Sequence, residues 1–392
     1  MFSKFIGSVF IVSGISIGAG MLAMPLTASF VDYPTCLCVL FLFWAGMYYA
    51  TLVNLEANLR VQKGVSISEI TSLVFGKKYG AFVSISLGIF LCALVSAYIA
   101  GETSLIQSAL GGRVSKPLIS TVFTLVFGGI VYSGMAKLDR MNRFFLTLKF
   151  FFLIGMIAFL AQHVRGELLV TRTSCSWDQW SLLLPVFFTS FGFQACIPYL
   201  VDYCDYNAPL LKRVILTGTL IPFLTYAVWI LVTKGVLALE GPASFAQVHA
   251  QGGGIGPFIE ILSAQSGSLE VKLFNTGYSL LAMTTSFLGV GLALYLFMEE
   301  KISSFTKSNS RATILCTFLP PWLVVQFYPE GFVMALKYAA AFLSLFALLA
   351  PAACVWKLRT LQDNVVWQAP GGKAGLILMI TIGIAFMILG GR

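Results

Sequence analysis

The first long apolar stretch of the chain is interrupted by glycines near its middle. Residues 5–28 read FIGSVFIVSGISIGAGMLAMPLTA, a length that crosses a bilayer, and Gly14, Gly18 and Gly20 cluster there ahead of Pro25. Peptide groups exposed by unwinding in hydrocarbon are tolerated only where they are buried in protein or line a cavity. The stretch is therefore either a packing face of the Gly14-x-x-x-Gly18 type or a discontinuous membrane helix.

Composition decides the class of protein. The chain has 392 residues, of which 58% are hydrophobic and 10% charged, whereas a soluble domain carries about 25% charged residues. This is the composition of a polytopic membrane protein. The formal charge of +9 falls mainly in short loops, so it reflects topology rather than nucleic-acid binding. The first stretch lacks a small-residue cleavage site and is expected to remain as a span.

Apolar stretches of membrane length predict an all-α protein with about eleven transmembrane helices. They lie near residues 5–28, 34–57, 81–105, 118–135, 144–162, 181–201, 213–236, 273–298, 312–327, 332–355 and 374–390. Most lysines and arginines fall in the loops after the even-numbered spans. The positive-inside rule then places the N-terminus in the cytoplasm and the C-terminus outside.

The sixth span is interrupted like the first. It reads SLLLPVFFTSFGFQACIPYL, with Thr189, Ser190 and Gly192 near its middle and Pro198 after them. Interrupted spans at positions one and six enter from opposite faces, which indicates an inverted five-plus-five repeat and favours a binding role over packing alone. We expect one transmembrane domain over residues 1–392, with repeats at about 5–162 and 181–355 and an extra helix at about 374–390.

Two loops are unusual. Residues 62–80 predict a short amphipathic helix on the cytoplasmic side, and residues 238–271 form the longest outside loop, with several glycines. That glycine-rich loop fits a hinged lid and a flexible connector about equally. The eight cysteines lie mostly within apolar segments and are read as packing residues, so no metal or other cofactor is expected.

The segments GSVFIVSGISIGAGMLAMPL and FTSFGFQACIPYL resemble the aromatic amino-acid permeases of bacteria, the tyrosine- and tryptophan-specific proton symporters. Collinear similarity continues at 142–156, 218–229, 284–295 and 327–339. The resemblance implies a LeuT-like fold in the amino acid–polyamine–organocation superfamily, located in the bacterial inner membrane, and looks closest to tyrosine permeases. Two departures near the expected pocket leave side-chain selectivity open: Gln194 stands where such permeases tend to have His, and Ile15-Ser16 replaces a pair of hydroxyl residues.

A zwitterionic amino acid requires separate partners for its carboxylate and its ammonium. N–H groups at Gly18, Ala19 and Gly20, beside Ser16, would begin the second half of span 1, and a helix N-terminus stabilises an anion. Carbonyls at Ser190, Phe191 and Gly192 would accept from the ammonium. Three residues, Phe187, Phe191 and Phe193, are candidates for an aromatic pocket, with packing alone as the alternative. Gln194 could hydrogen-bond a phenol or an indole N–H.

Lys149 is the charged residue that most suggests a coupling role. It falls inside span 5, and intramembrane charges are functional candidates by default. Burial disfavours the ammonium form, so such an amine can load and release a proton. The resemblance implies that this lysine replaces a sodium ion between the span-1 break and span-8 hydroxyls, here Thr285 and Ser286. The alternative is a lysine that snorkels to the cytoplasmic interface.

The remaining charged residues of the spans are read as interfacial. Glu102 near the outer end of span 3 is either a second proton carrier or, preferably, an interfacial carboxylate, and Lys337 is expected to snorkel. Asp202 and Asp205 are expected in a solvated loop. The main prediction is a non-enzymatic importer with an amino acid, protons and membrane lipid as partners. The alternatives are a membrane enzyme acting on lipid headgroups, a nutrient sensor, and a sodium-coupled or non-aromatic transporter.

Overall fold

The computed structural model describes residues 2–61, 64–133, 135–171, 176–267, 269–303, 310–361 and 367–391, and these form an almost entirely helical bundle. Its first helices are α1 (Phe2–Ser16), α2 (Gly20–Thr27), α3 (Tyr33–Val61), α4 (Ile67–Phe75), α5 (Lys77–Ala109), α6 (Lys116–Tyr132), α7 (Met135–Ala161), α8 (Gly166–Leu169) and α9 (Trp177–Thr189). The remaining helices are α10 (Ile197–Tyr203), α11 (Ala208–Val236), α12 (Phe245–Ala250), α13 (Ile255–Ser266), α14 (Leu269–Ser303), α15 (Ser310–Phe327), α16 (Phe332–Ser344), α17 (Ala350–Leu361) and α18 (Gly372–Gly391). A 3₁₀ turn at Gln194–Cys196 precedes α10, and a π-helical segment at Leu345–Leu349 joins α16 to α17.

Eight segments of the described chain are long and apolar enough to cross a membrane, and the bent pair of α1 and α2 raises the number to nine. The protein is therefore a multi-pass membrane protein. Two of the eleven predicted spans lie outside this set. The span predicted at 118–135 corresponds to α6, which is apolar but has 17 residues, and the span predicted at 312–327 corresponds to α15, which contains Pro320 and Pro321.

Several helices extend beyond the predicted apolar stretches. Helix α5 begins at Lys77 rather than near 81 and ends at Ala109, and α3 continues to Val61. At the end of α3, polar residues continue the helix and are buried against neighbouring helices, whereas Lys77 and Lys78 extend the start of α5 as exposed residues. Helix continuation therefore brings charged groups such as Glu56 and Arg60 into the bundle.

Both unusual loops contain helices. The predicted amphipathic segment at 62–80 contains α4, whose first turn is capped by the Ser66 hydroxyl accepting from the Glu69 N–H, although residues 62 and 63 lie outside the described residues. The long loop at 238–271 contains α12 and α13. The Ser104 hydroxyl of α5 accepts from the Gly256 N–H at 3.0 Å, so this loop packs on the end of α5. The loop is therefore a folded segment that packs over the end of α5, rather than an unstructured connector.

Candidate functional site

The first apolar stretch breaks where its glycines predict. Helix α1 ends at Ser16, α2 begins at Gly20, and their axes differ by 47°. Only short-range backbone hydrogen bonds cross the junction: the Met21 N–H donates to the Gly18 carbonyl at 3.4 Å and the Leu22 N–H to the Ala19 carbonyl at 3.1 Å. The residues of the break are nonetheless almost fully buried. Peptide groups without helical partners therefore lie inside the protein.

The sixth stretch also leaves the α-helix, at residues 190–193. Helix α9 ends at Thr189, and two tight turns follow, in which the Gly192 N–H donates to the Thr189 carbonyl and the Phe193 N–H to the Phe191 carbonyl, both at 3.0 Å. The chain resumes with the 3₁₀ turn and α10. The Phe191 carbonyl therefore already accepts a hydrogen bond within the turn.

The two breaks lie against each other. A Cβ built on Gly20 would be 2.9 Å from the Ser190 hydroxyl oxygen, so any larger residue would require Ser190 to shift. The Tyr226 hydroxyl of α11 lies within hydrogen-bond distance of the Ser16 carbonyl and 2.9 Å from the Ser190 carbonyl. Its single proton can be donated to only one of these two carbonyls at a time. One phenol therefore bridges carbonyls of both interrupted spans.

Helix α11 supports the broken span along its length, which sequence reasoning did not reveal. The Trp229 indole N–H donates to the Met21 carbonyl at 2.9 Å, and the Lys234 ammonium donates to the Ala28 and Ser29 carbonyls, each at 3.0 Å. Lys234 thus places a positive charge at the C-terminus of α2, where helix carbonyls lack partners. The only signal in the sequence is the spacing of Tyr226, Trp229 and Lys234 on one helix.

The three N–H groups at the start of α2 have different environments. The Ala19 N–H donates to the Ser286 hydroxyl of α14 at 3.2 Å. Within the described residues, the Gly18 and Gly20 N–H groups donate no hydrogen bond. A Cβ on Gly18 would be 2.7 Å from the Ser286 hydroxyl oxygen. The break therefore presents two free backbone donors near a helix N-terminus.

Lys149 of α7 reaches the same break. Its side chain is 1% exposed, and its ammonium donates to the Ile17 carbonyl at 2.8 Å. The side chain therefore points inward and does not snorkel to the interface. Its hydrogen-bond partner differs from the expectation: the Thr285 hydroxyl donates to the Leu281 carbonyl of its own helix at 2.8 Å, and Ser286 contacts Ala19 instead of the lysine.

The aromatic candidates are all buried, but they do not share one environment. Phe191 packs edge-on against the Tyr226 ring with centroids 5.2 Å apart, whereas the Phe187 centroid is 6.4 Å from that of Phe43. Phe193 is 1% exposed. Gln194 lies farther along the chain, with its amide nitrogen 3.9 Å from the Met47 sulfur.

Gln194 also faces a small cavity. The space is about 50 Å³ and lies between the 3₁₀ turn, α4 and α5, with Asn54, Ser68 and Phe346 on its walls. The Gln194 amide oxygen is buried and has no hydrogen-bond partner among the described residues. It therefore retains an acceptor that a polar ligand or water can use.

Two residues that the sequence placed at the interface are inside the bundle. Glu102 is 3% exposed and Lys337 is 7% exposed, so neither side chain reaches the surface of the bundle, as the interfacial readings expected them to do. The loop reading holds for Asp205, whose carboxylate pairs with Lys4 at 2.6 Å and whose side chain is 77% exposed. Asp202 accepts a hydrogen bond from the Tyr206 hydroxyl at 2.6 Å.

A multi-pass helical bundle with two interrupted helices in contact is an arrangement found in many membrane transport proteins. The model of the tryptophan/tyrosine permease family matches residues 1–390, and the chain belongs to this family. Its members are transport proteins and not enzymes. The chain is therefore an amino-acid permease.

Named relatives match over nearly their whole lengths. The tyrosine-specific transport system 1 of Haemophilus influenzae is 33% identical, over 97% of this chain and 95% of the relative. The tryptophan-specific transport protein of Pseudomonas aeruginosa is 28% identical, over 97% and 92%. The glutamine transporter 2 of Aliivibrio fischeri is 29% identical, over 98% of both chains.

Proposed function

We propose that this protein imports aromatic amino acids, tyrosine foremost, by proton symport across the bacterial inner membrane. The observation that carries the proposal is the contact between two interrupted spans, with free backbone donors on one and carbonyls on the other. Such paired peptide groups can hold a zwitterion without charged side chains. The names of the tyrosine- and tryptophan-specific relatives support an aromatic side chain on the substrate.

The substrate carboxylate is assigned to the start of α2. The N–H groups of Gly18 and Gly20 lack partners, and the N-terminus of a helix carries partial positive charge that favours an anion. Ala19 and Ser16 complete this end of the site, and Ser286 orients it through the Ala19 N–H. Neutral donors suit a site that must also release its ligand.

The substrate ammonium is assigned to the second break. A carbonyl oxygen has two lone pairs, so the Ser190 carbonyl can accept from an ammonium while it also accepts from Tyr226. Gly192 supplies a further carbonyl in the same turn. The Phe191 carbonyl already accepts from the Phe193 N–H, so one of its two lone pairs remains for the substrate. The two breaks thereby separate the charges of the zwitterion between two spans.

The aromatic side chain is assigned to the apolar surface beside these breaks. Phe191 is placed best, because its ring packs on Tyr226 next to the Ser190 carbonyl. Phe187 and Phe193 are buried nearby on the same interrupted span. Gln194 offers an unpaired acceptor to a phenol or an indole N–H. Stacking on such rings favours aromatic over aliphatic substrates.

Proton coupling is assigned to Lys149. A buried ammonium that donates to the Ile17 carbonyl ties α7 to the bend of the first span. Loss of the proton removes the charge that makes this contact strong, so protonation and the position of the break depend on each other. Ser286 contacts the same break, and Thr285 lies beside it on α14. Release of the proton inward would then loosen α1.

The arrangement of the whole chain is proposed to be LeuT-like. Eleven spans in an inverted five-plus-five repeat would include α6 and α15 as spans four and nine, with repeats at about 5–162 and 181–355 and α18 outside them. The N-terminus would face the cytoplasm and the C-terminus the outside. Contact between the interrupted first and sixth spans supports this arrangement.

Transport by purified protein in proteoliposomes tests the proposal. Labelled tyrosine, tryptophan, leucine and glutamine are offered separately, with and without an imposed inward pH gradient. We expect tyrosine and tryptophan to accumulate only with the gradient. Leucine uptake equal to that of tyrosine would exclude the aromatic pocket, and preferred glutamine uptake would assign this chain the substrate named for the Aliivibrio relative. Accumulation independent of the gradient would exclude proton coupling.

A further inference from the structure

Glu102 is a buried carboxyl group that the proposed transport mechanism does not use. It lies in α5 and is 3% exposed. Its Oε1 accepts from the Thr284 hydroxyl of α14 at 3.3 Å, and its Oε2 has no hydrogen-bond partner among the described residues. A carboxyl group almost fully shielded from water, with one weak hydrogen-bond donor, therefore faces the bundle interior.

No cation compensates this carboxyl group. Within the described part of the chain, no lysine, arginine or histidine nitrogen lies within 4 Å of its oxygens. Titratable side chains on three of the helices packed against α5 have other partners or are exposed. Tyr278 of α14 donates to the Met21 sulfur, Lys116 of α6 pairs with Glu330, and Glu260 of α13 is exposed.

The other helices packed against α5 add no partner. Glu69 of α4 and Arg311 of α15 are exposed, and Tyr338 of α16 is 44% exposed. Among the described residues, Lys337 of α16 forms no ion pair within 4 Å. Tyr98, one turn before Glu102 on α5, is buried and makes no hydrogen bond to it. An ionised carboxylate here would thus be a buried charge with one hydroxyl donor, which is strongly unfavourable.

The environment therefore fits a neutral carboxylic acid. A proton bound at Oε2 removes the uncompensated charge while Oε1 keeps its hydrogen bond to Thr284. Thr284 is two residues from Ser286, which holds the Ala19 N–H of the first break. On the other side, Ser104 of α5, two residues beyond Glu102, binds the outer loop through Gly256. The carboxyl group thus lies between the outer cover and the interrupted span.

We propose that Glu102 is a second proton-binding site of this transporter, separate from Lys149. In the conformation seen here it holds a proton as a neutral acid. When α5 and α14 separate and water enters, the O–H bond breaks, the proton passes to water, and the carboxylate is solvated. This proposal rests on the proposed alternating transport for its role, but the protonation state itself does not depend on which substrate is carried.

Infrared difference spectroscopy on the purified protein tests the protonation state directly. The protonated form has a carboxylic-acid C=O band that a carboxylate lacks. We expect this band at neutral pH in the natural protein and in Glu260→Gln, a matched control that alters an exposed carboxyl group of α13, and expect its loss in Glu102→Gln. A spectrum unchanged by Glu102→Gln would overturn the proposal. A band assigned to Glu102 in a protein that fails to transport aromatic amino acids would leave this site standing and remove the proposed function.

Transport supplies the second readout. We expect Glu102→Gln, which mimics the neutral acid, to retain tyrosine exchange without a gradient. The apparent tyrosine affinity of Glu102→Gln should depend less on pH than that of the natural protein. We expect the two affinities to differ by roughly tenfold at the pH where the proteins differ most. Glu260→Gln should follow the natural protein. A Glu102→Gln variant with the full pH dependence and full accumulation would show that no transported or regulatory proton binds there.

Discussion

At the scale of single residues, the site depends on side chains that hold backbone atoms rather than on side chains that reach the ligand. Tyr226, Lys149 and Ser286 come from three different helices, and each binds a peptide group at the first break. A break in a membrane helix leaves polar groups that must find partners inside the protein. These residues supply those partners and so fix the positions of the groups left free for a ligand.

Tyr226→Phe tests this supporting role. The change keeps the ring packed on Phe191 but removes the hydroxyl that donates to either the Ser16 or the Ser190 carbonyl, and an unpaired buried acceptor costs about 1–3 kcal/mol. Because 1.4 kcal/mol corresponds to a factor of about ten, we expect tyrosine uptake to fall roughly tenfold. Initial uptake rates per amount of purified protein measure the effect. Tyr199→Phe, an exposed tyrosine on α10, is the control. Equal rates in both variants would contradict the bridging role.

Lys149→Ala tests proton coupling at the same break. Without the ammonium, the contact with the Ile17 carbonyl is lost and no proton is carried at this position. We expect tyrosine exchange between equal pH values to continue, whereas accumulation driven by a pH gradient disappears. Lys272→Ala, which changes an exposed lysine of α14, should accumulate tyrosine normally. Accumulation by Lys149→Ala equal to that control would refute the coupling role.

At the scale of elements, both helix interruptions could be predicted from the local sequence, whereas the side chains that hydrogen-bond to them could not. Clustered glycines ahead of Pro25 in the first stretch, and Thr189, Ser190 and Gly192 ahead of Pro198 in the sixth, weaken the helix locally, so the breaks at 17–19 and 190–193 could be predicted. The carbonyl partners Trp229 and Lys234 could not, because they depend on which face of α11 packs on α2. The burial of Glu102 and Lys337 could not be predicted for the same reason, because neighbouring helices enclose them.

The glycines of the first break provide a graded test of the element. A Cβ at Gly18 would be 2.7 Å from the Ser286 oxygen and one at Gly20 would be 2.9 Å from the Ser190 oxygen, whereas a Cβ at Gly14 meets nothing within 4 Å. We expect Gly18→Ala and Gly20→Ala to reduce tyrosine uptake at least tenfold, about 1.4 kcal/mol. Gly18→Leu should abolish uptake while the protein stays in the membrane.

The control for this series is Gly14→Ala, which replaces a helical glycine where space is free. Alanine favours a helix by about 1 kcal/mol over glycine, so the variant should be at least as stable as the natural protein and should transport tyrosine normally. Uptake and membrane abundance are measured together. Normal uptake by Gly18→Leu, or equal losses in all three alanine variants, would remove the carboxylate assignment at this break.

At the scale of the whole molecule, one buried carboxylate joins the two halves of the chain. Glu56 at the end of α3 is fully buried and accepts from Arg60 at 2.8 Å, from Arg359 of α17 at 2.6 and 2.9 Å, and from the Ala369 N–H at 2.8 Å. Sequence reasoning missed this cluster because the predicted spans ended near 57 and 355. The helices continue to Val61 and Leu361, and this extension brings the three charges together.

Glu56→Gln should therefore destabilise the entire bundle. The substitution removes the carboxylate charge that accepts from Arg60 and Arg359, and breaking a buried ion pair from one side costs about 3–5 kcal/mol. Thermal unfolding of the purified protein in detergent should show a clearly lower midpoint. The control is Glu300→Gln, which removes an exposed pair with Lys301 and should change stability by less than about 1 kcal/mol. Because Glu56 bridges α3 and α17, a midpoint shift no larger than that of Glu300→Gln would mean that the cluster adds no net stability.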